Sequence, residues 1–245
     1  MPNKGYLDKS THWKIKTGKI AFEEPKYNEV TKAIIDSGLA DKVWQILGSG
    51  KEADVYLCSS GNKPEAVKVY RQYRTSHRDH SQIKLDTMSN IAVREFELLN
   101  YAFYGGARVP EPYRRIENMF SMQYIGSPDG PAPPLQGSNL RDPENFLRLT
   151  LEGIDKLATS GIIHTDLSPF NLLVFNDEPW LIDLADAIRA DRLGIPPWLK
   201  VEEARKALIK GLSSLQKYFD KYGLSIDSRS IQNSIISKID KFSNY

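Results

Sequence analysis

Between Gly126 and Gly137 the chain carries four prolines and three glycines within twelve residues. Proline removes a backbone donor and fixes φ, and glycine weakens any regular element, so neither a helix nor a central strand runs through this stretch. The sequence therefore divides into a part before it and a part after it.

The two parts differ in character. Before the break, residues 27–37 place Val30, Ala33 and Ile34 at helical spacing, with Gly38 as a stop. Val43–Leu47, Ala53–Cys58 and Glu65–Tyr70 are rich in β-branched and aromatic residues and read as strands, the last two joined by a turn at Ser60-Gly61-Asn62. Residues 71–89 lack periodicity and read as a long polar loop. A helix follows from Ile91 to Tyr101, ended by Gly105-Gly106, and Pro110, Pro112 and Phe120–Ile125 read as extended chain. After the break, Asp142-Pro143 is an N-cap with proline at the first helical position, opening a helix to about Ser160. Leu172–Phe175 and Trp180–Ile182 form a hairpin turning at Asn176-Asp177. Two helices close the chain, one on Leu208, Leu212, Leu215 and Phe219, the other on Ile231, Ile235, Ile239 and Phe242.

Strands first and helices second predict a bilobal α+β plan. Its parts are an N-terminal extension with a helix (1–40), a strand-rich lobe with a flexible loop at 71–89 (41–125), a hinge (126–137) and a helical lobe (138–245). With 40% hydrophobic residues in 245, the chain has the apolar content for a substantial core. No apolar run is long enough for a membrane span, and the polar start Met1-Pro2-Asn3-Lys4 is unlike a signal peptide. A single cysteine, Cys58, excludes a disulfide framework and a cysteine-rich zinc site, and points to a reducing compartment, the cytoplasm. Cys58 and three tryptophans, Trp44, Trp180 and Trp198, read as packing residues; His12, His77 and His80 lack metal-ligand spacing and read as surface.

The chemistry-bearing signal is His164-Thr165-Asp166-Leu167-Ser168-Pro169-Phe170-Asn171, followed by Leu181-Ile182-Asp183. Phosphoryl transfer needs a carboxylate near the attacking hydroxyl and oxygen ligands for Mg2+ near the phosphates. An Asp and an Asn five residues apart on one tight loop can supply a base and a metal ligand, and an Asp closing the adjoining hairpin supplies another. Upstream, Gly48-Ser49-Gly50-Lys51-Glu52-Ala53-Asp54-Val55 lies between two strands, where glycines let backbone N–H groups approach phosphates. Lys68 follows on a strand, sharing a face with Ala66 and Tyr70, and Glu95 on the next helix can pair with it.

These motifs, in this order, resemble the RIO-type atypical protein kinases, as does Tyr124-Ile125-Gly126 with the Asp129–Leu135 stretch. The resemblance covers roughly residues 40–220 and is nearest to the branch without an N-terminal winged helix. It implies a protein-kinase-like fold truncated by the loss of the activation segment and peptide-binding helices; only 62 residues follow Asp183, and no Ala-Pro-Glu occurs among them. Thr165 stands where ordinary kinases carry Arg. The resemblance assigns Asp166 as catalytic base and Asn171 and Asp183 as metal ligands. Lys68 would hold the phosphates of ATP, Glu95 would hold Lys68, Ser49 and Lys51 would lie over the phosphates, and the backbone at Gln123 and Ile125 would read adenine. Asp183 can also accept phosphate as an aspartyl-phosphate.

The implied activity is that of a serine/threonine protein kinase or ATPase using ATP with Mg2+ or Mn2+. Autophosphorylation falls in the 71–89 loop, where Thr75, Ser76 and Ser81 are available. The implied partner is the precursor of the small ribosomal subunit. The net charge of +2 does not call for nucleic acid. Two basic stretches, five lysines between Lys4 and Lys19, and Arg71, Arg74 and Arg78 with Lys84, read by themselves as solvated surface, and the resemblance makes phosphate contacts by Arg71, Arg74 and Arg78 an equal alternative. Asp186 departs from the family, which usually has Gln or another polar residue three positions after the metal Asp. Leu181–Ala187 also resembles small-molecule kinases of the aminoglycoside and choline type. That alternative remains open, as does a nucleotide-sensing scaffold on the pre-ribosome with little transfer activity.

Overall fold

The computed structural model describes Trp13, Thr17 and residues 26–50, 52–71, 86–190 and 197–240. The described chain forms two compact units. The first takes the residues up to Phe96 together with Pro112–Tyr124, and the second takes Glu97–Glu111 and the residues from Ile125 onward.

In the first unit, helix α1 (Tyr27–Asp36) precedes strands β1 (Lys42–Ser49), β2 (Ala53–Ser60) and β3 (Lys63–Tyr70). After helix α2 (Asp86–Tyr104) come β4 (Pro112–Ile116) and β5 (Met119–Gln123). The strands make one antiparallel sheet in the order β1-β2-β3-β5-β4. Helix α1 buries Val30 and Ile34 with Leu39 and Ala40 against Tyr56, Cys58, Val67, Val69 and Met119. Each fully buried aliphatic side chain there contributes about 1.5–3 kcal/mol. Because β3 is central, it is buried on both faces: Val67 and Val69 meet α1, and Ala66, Lys68 and Tyr70 are buried on the other side. A lysine is thus forced into the sheet interior and requires a counter-charge.

Two expectations need correction here. Helix α2 begins at Asp86, inside the stretch expected to be loop; its first turn carries no hydrophobic periodicity to mark it. Residues 72–85, with Thr75, Ser76 and Ser81, lie outside the described residues. Trp44 does not pack between elements. It lies on the edge strand β1, 55% exposed, with its indole N–H donating to Ser59 Oγ at 3.3 Å and the Lys42 ammonium 3.7 Å from its ring centroid.

In the second unit the end of α2 is closed by Gly105 and Gly106. Gly106 adopts φ 78°, and the N–H groups of Gly105, Gly106 and Ala107 return to the carbonyls of Tyr101, Phe103 and Ala102. A Cβ on Gly105 would lie 1.8 Å from Ser160 Oγ and 3.0 Å from Tyr101 O, so a side chain there would force Ser160 to turn away from Lys156 O. Helix α3 (Pro143–Thr159) starts as expected: the Asp142 carboxylate accepts the Asn145 N–H at 3.0 Å. Its inner face buries Phe146, Thr150, Ile154 and Leu157.

Strands β6 (Gly126–Ser127) and β7 (Gly130–Pro131) form a small hairpin inside the proline-rich segment. Beyond it, Pro133 supplies the carbonyl for the Val174 N–H, Leu135 donates to Leu172 O at 2.7 Å, and the Leu135 side chain is fully buried. The segment cannot form helix, yet its carbonyls and remaining N–H groups dock on the strand after Asn171. Strand β8 (Ile162–Ile163) pairs with β11 (Ile188–Arg189), and β9 (Leu172–Phe175) with β10 (Glu178–Leu181). The β9–β10 turn has Asn176 at φ 55° and Asp177 at φ 59°, the left-handed pair a two-residue hairpin requires. Helices α4 (Pro197–Phe219) and α5 (Ser228–Asp240) bury Leu208, Leu212, Leu215 and Phe219, and Ile235, Ile236 and Ile239. No helix among the described residues is long and apolar enough to cross a membrane.

Candidate active site

The first unit supplies a cation held from behind. Lys68 Nζ lies 2.7 Å from Glu95 Oε1, and the two side chains are only 11% and 5% exposed. The second oxygen of Glu95 accepts the hydroxyl of Tyr70, and the Lys68 ammonium sits 5.4 Å from the Tyr70 ring centroid. Strand periodicity puts Lys68 and Tyr70 on one face, and α2 presents Glu95 to both. Asn118 fixes the end of β3: it donates its side-chain amide to Tyr70 O and accepts the Tyr70 N–H at its own main-chain oxygen.

The glycine-bearing turn between β1 and β2 is braced by charge. Ser49 Oγ donates to Asp54 Oδ1 at 2.5 Å. Arg71 grips both Asp54 oxygens, Nε to Oδ2 at 3.1 Å and Nη2 to Oδ1 at 2.6 Å, and also donates to Ser49 Oγ at 2.7 Å. Gly50 N–H closes the turn on Ala53 O at 2.9 Å. Arg71, which the sequence left as either solvated surface or a phosphate contact, is largely buried in this bidentate pair. Lys51 lies outside the described residues. Gln123 ends β5 opposite Glu65.

In the second unit one tight loop carries the expected carboxylate and amide. Asn171 N–H turns back to Ser168 O at 3.0 Å, and its side-chain amide donates to Asp166 O at 2.8 Å and to Asp166 Oδ2 at 3.0 Å. Ile182, directly before Asp183, is pinned from both sides: its N–H donates to Asn171 O at 3.0 Å and its carbonyl meets His164 Nε2 at 3.0 Å. Thr165 Oγ1 donates to Asp186 O at 2.8 Å. Asp183 itself adopts φ 63°, a left-handed backbone uncommon for a non-glycine residue, though Asp enters it more readily than most. Ile125, where the second unit resumes, is buried, and its carbonyl accepts the Ala132 N–H at 3.0 Å.

His164 is fully buried beneath this loop, and burial pushes its pKa below the ordinary value of 6.5. The Ile182 carbonyl and the carboxylates of Asp183, Asp166 and Asp186 pull the other way without prevailing. Neutral His164 therefore uses its Nε2–H to donate to Ile182. Around it Asp166, Asp183 and Asp186 are exposed.

Among the described residues no group of three or more His, Cys, Asp or Glu could hold a metal by itself. Asp183 and Asn171 are hard oxygen donors held on adjoining segments. Such a pair fits an ion that takes one or two protein oxygens and completes its shell with phosphates and water, the habit of Mg2+. Sequence reading missed the bracing roles: Tyr70 behind Glu95, Asp54 beneath Ser49, His164 on the Ile182 carbonyl and Thr165 on the Asp186 carbonyl. His164, Thr165 and Asp54 stood within the motifs without their bracing role being legible, while Tyr70 was marked by its place two residues from Lys68 on one strand face.

The family model for the RIO domain matches residues 54–231, well over half of the chain. The chain is 26% identical over 197 residues to the RIO-type serine/threonine-protein kinase Rio1 of Thermoplasma acidophilum, covering 75% of this chain and all of that protein. It is 25% identical over 231 residues to the corresponding Rio1 of Haloferax volcanii, covering 88% of this chain and 76% of that protein. Among solved structures, the Rio2 kinase of Chaetomium thermophilum matches with a TM-score of 0.60 at 18% identity, covering 96% of this chain and 84% of that one. The same kinase solved as an ADP/Mg2+-phosphoaspartate complex matches with a TM-score of 0.59 at 19% identity, covering 95% and 79%. The two-lobed α+β kinase-like fold is thereby shown, and with the domain match over most of the sequence, the chain belongs to the RIO family of atypical protein kinases.

Proposed function

We propose that the protein is an ATP- and Mg2+-dependent serine/threonine kinase or ATPase of the RIO type. The observation that carries this reading is Asn171: its side chain holds Asp166 while its main-chain oxygen holds the segment that ends in Asp183. On this reading the base and the metal-binding oxygens would be joined through Asn171. Lys68, oriented by Glu95, would hold the nucleotide phosphates, and the turn at Ser49 and Lys51 would cover them. The backbone at Gln123 and Ile125 would take the adenine edge. Mg2+, when bound by Asn171 and Asp183, neutralises phosphate charge.

Asp166 would accept the proton of an attacking hydroxyl. Asp183 would serve as an alternative nucleophile: its carboxylate oxygen bonds to the γ-phosphorus as the bond to the ADP oxygen breaks, and water then releases phosphate. The Rio2 kinase of Chaetomium thermophilum, solved with ADP, Mg2+ and a phosphoaspartate, supports this second course. The pre-ribosomal small subunit is the partner under this reading, and the cytoplasm its place of action. With Arg71 committed to Asp54, phosphate contacts would fall to Arg74, Arg78, Lys84 and the N-terminal lysines. Incubation with Mg2+ and γ-labelled ATP tests the chemistry. Hydroxylamine-labile label with phosphate release means the Asp183 course, stable label means hydroxyl transfer, and neither label nor release would refute both.

A further inference from the structure

Glycine in the middle of a helix is unfavourable relative to alanine, so a buried one calls for a reason. Gly211 lies in the middle of α4, flanked by the buried Leu208, Leu212 and Leu215. A Cβ built on Gly211 would stand 2.7 Å from Leu167 Cβ, 3.0 Å from Leu167 O and 3.4 Å from Leu167 Cα. Two of these atoms are backbone, and the third is fixed to it, so no side-chain rotation relieves the contact. Leu167 directly follows Asp166 and is 3% exposed. The loop from Asp166 to Asn171 therefore rests on the bare backbone of α4.

We propose that Gly211 is a positioning residue for the phosphoryl-transfer step: the missing side chain sets the depth at which the Asp166–Asn171 loop sits. This rests on the function proposed above. Any side chain at 211 would lift Leu167 by a few tenths of an ångström or more. It would carry the Asp166 carboxylate with it and strain the Asn171 bonds to Asp166. Placement errors of that order are enough to slow chemistry without altering binding elsewhere. Gly153, buried in α3, offers the contrast: its added Cβ would meet only Leu181 Cδ1, at 3.1 Å, the movable end of a side chain.

The test compares wild type, Gly211→Ala and Gly153→Ala in steady-state ATP turnover. Gly211→Ala is expected to lower kcat at least tenfold with the KM for ATP within about twofold, while Gly153→Ala keeps both. Equal kcat for Gly211→Ala and wild type would overturn the proposal, as would a loss confined to KM. Amide exchange on the wild-type protein gives a second measurement that does not depend on the variant folding. The Asn171 N–H is expected to exchange as slowly as the buried amides of α4, and exchange at the rate of free peptide would overturn the proposal. A wild type with no ATP turnover would refute the proposed function, and the exchange measurement would still decide whether α4 fixes the loop.

Discussion

The side-chain amide of Asn171 donates to Asp166 twice, to the main-chain oxygen at 2.8 Å and to the carboxylate at 3.0 Å. One residue thereby fixes both the backbone and the rotamer of the expected base. Removing it as Asn171→Ala frees the Asp166 carboxylate and deletes an oxygen donor. Turnover is expected to fall about 10–100-fold, the usual effect of losing a group that orients another. Because this bond is exposed, the thermal midpoint should move little. Steady-state kinetics beside a melting curve checks both halves.

The Lys68–Glu95–Tyr70 group makes a graded prediction. Glu95→Ala removes the carboxylate that pairs with a buried lysine and should lower stability by about 3–5 kcal/mol. Tyr70→Phe removes the hydrogen bond to the second Glu95 oxygen, a loss of about 1.5–3 kcal/mol for a bond to a charged group. Urea unfolding should rank the variants in that order, and both should raise the KM for ATP.

His164 predicts a pH dependence of stability. Its folded pKa lies below 6.5, so as pH falls through about that value the unfolded chain takes up a proton that the folded chain refuses. Stability therefore falls on acidification below about pH 6.5, with a slope of at most about 1.4 kcal/mol per pH unit. Above that pH the group is neutral in both states and adds no pH dependence. Unfolding measured at pH 7.5 and 5.5 should show a larger loss for wild type than for His164→Asn; equal losses would contradict the account.

Cys58 should be chemically silent in the native state. It is fully buried, and burial followed by the nearby Glu65 carboxylate pushes its thiol up to about 12. A thiol reagent at pH 8 should label it only at the rate of unfolding, and rapid stoichiometric labelling of the folded protein would be the contrary result.

Much of this was legible in the sequence, for reasons that differ by residue. The strand at β3 alternates, so Val67 and Val69 could be assigned to the core and Lys68 to the opposite face. Asp142-Pro143 and Asn176-Asp177 carry local backbone rules that no tertiary contact overrides. Trp44 failed because an indole on an edge strand is stabilised at the surface by Lys42 and Ser59, which hydrophobicity alone does not reveal. The start of α2 failed because its first turn is polar. Arg71 failed because a basic stretch does not disclose which of its members meets an acid; Asp54 lies across the β2–β3 pairing, 17 positions away. The left-handed Asp183 was not legible because Asp tolerates this backbone in many settings, and the bonds that hold the preceding Ile182, from His164 and to Asn171, are made by residues 18 and 11 positions away.

The central claim is that Asp166 carries ATP-dependent phosphoryl transfer. Its most direct test is γ-labelled ATP with Mg2+, comparing wild type with Asp166→Ala for label on the protein and free phosphate. The account predicts transfer by wild type and a loss of about 10²–10⁴-fold in the variant, with an unchanged circular dichroism spectrum. Equal transfer by the two proteins would contradict it.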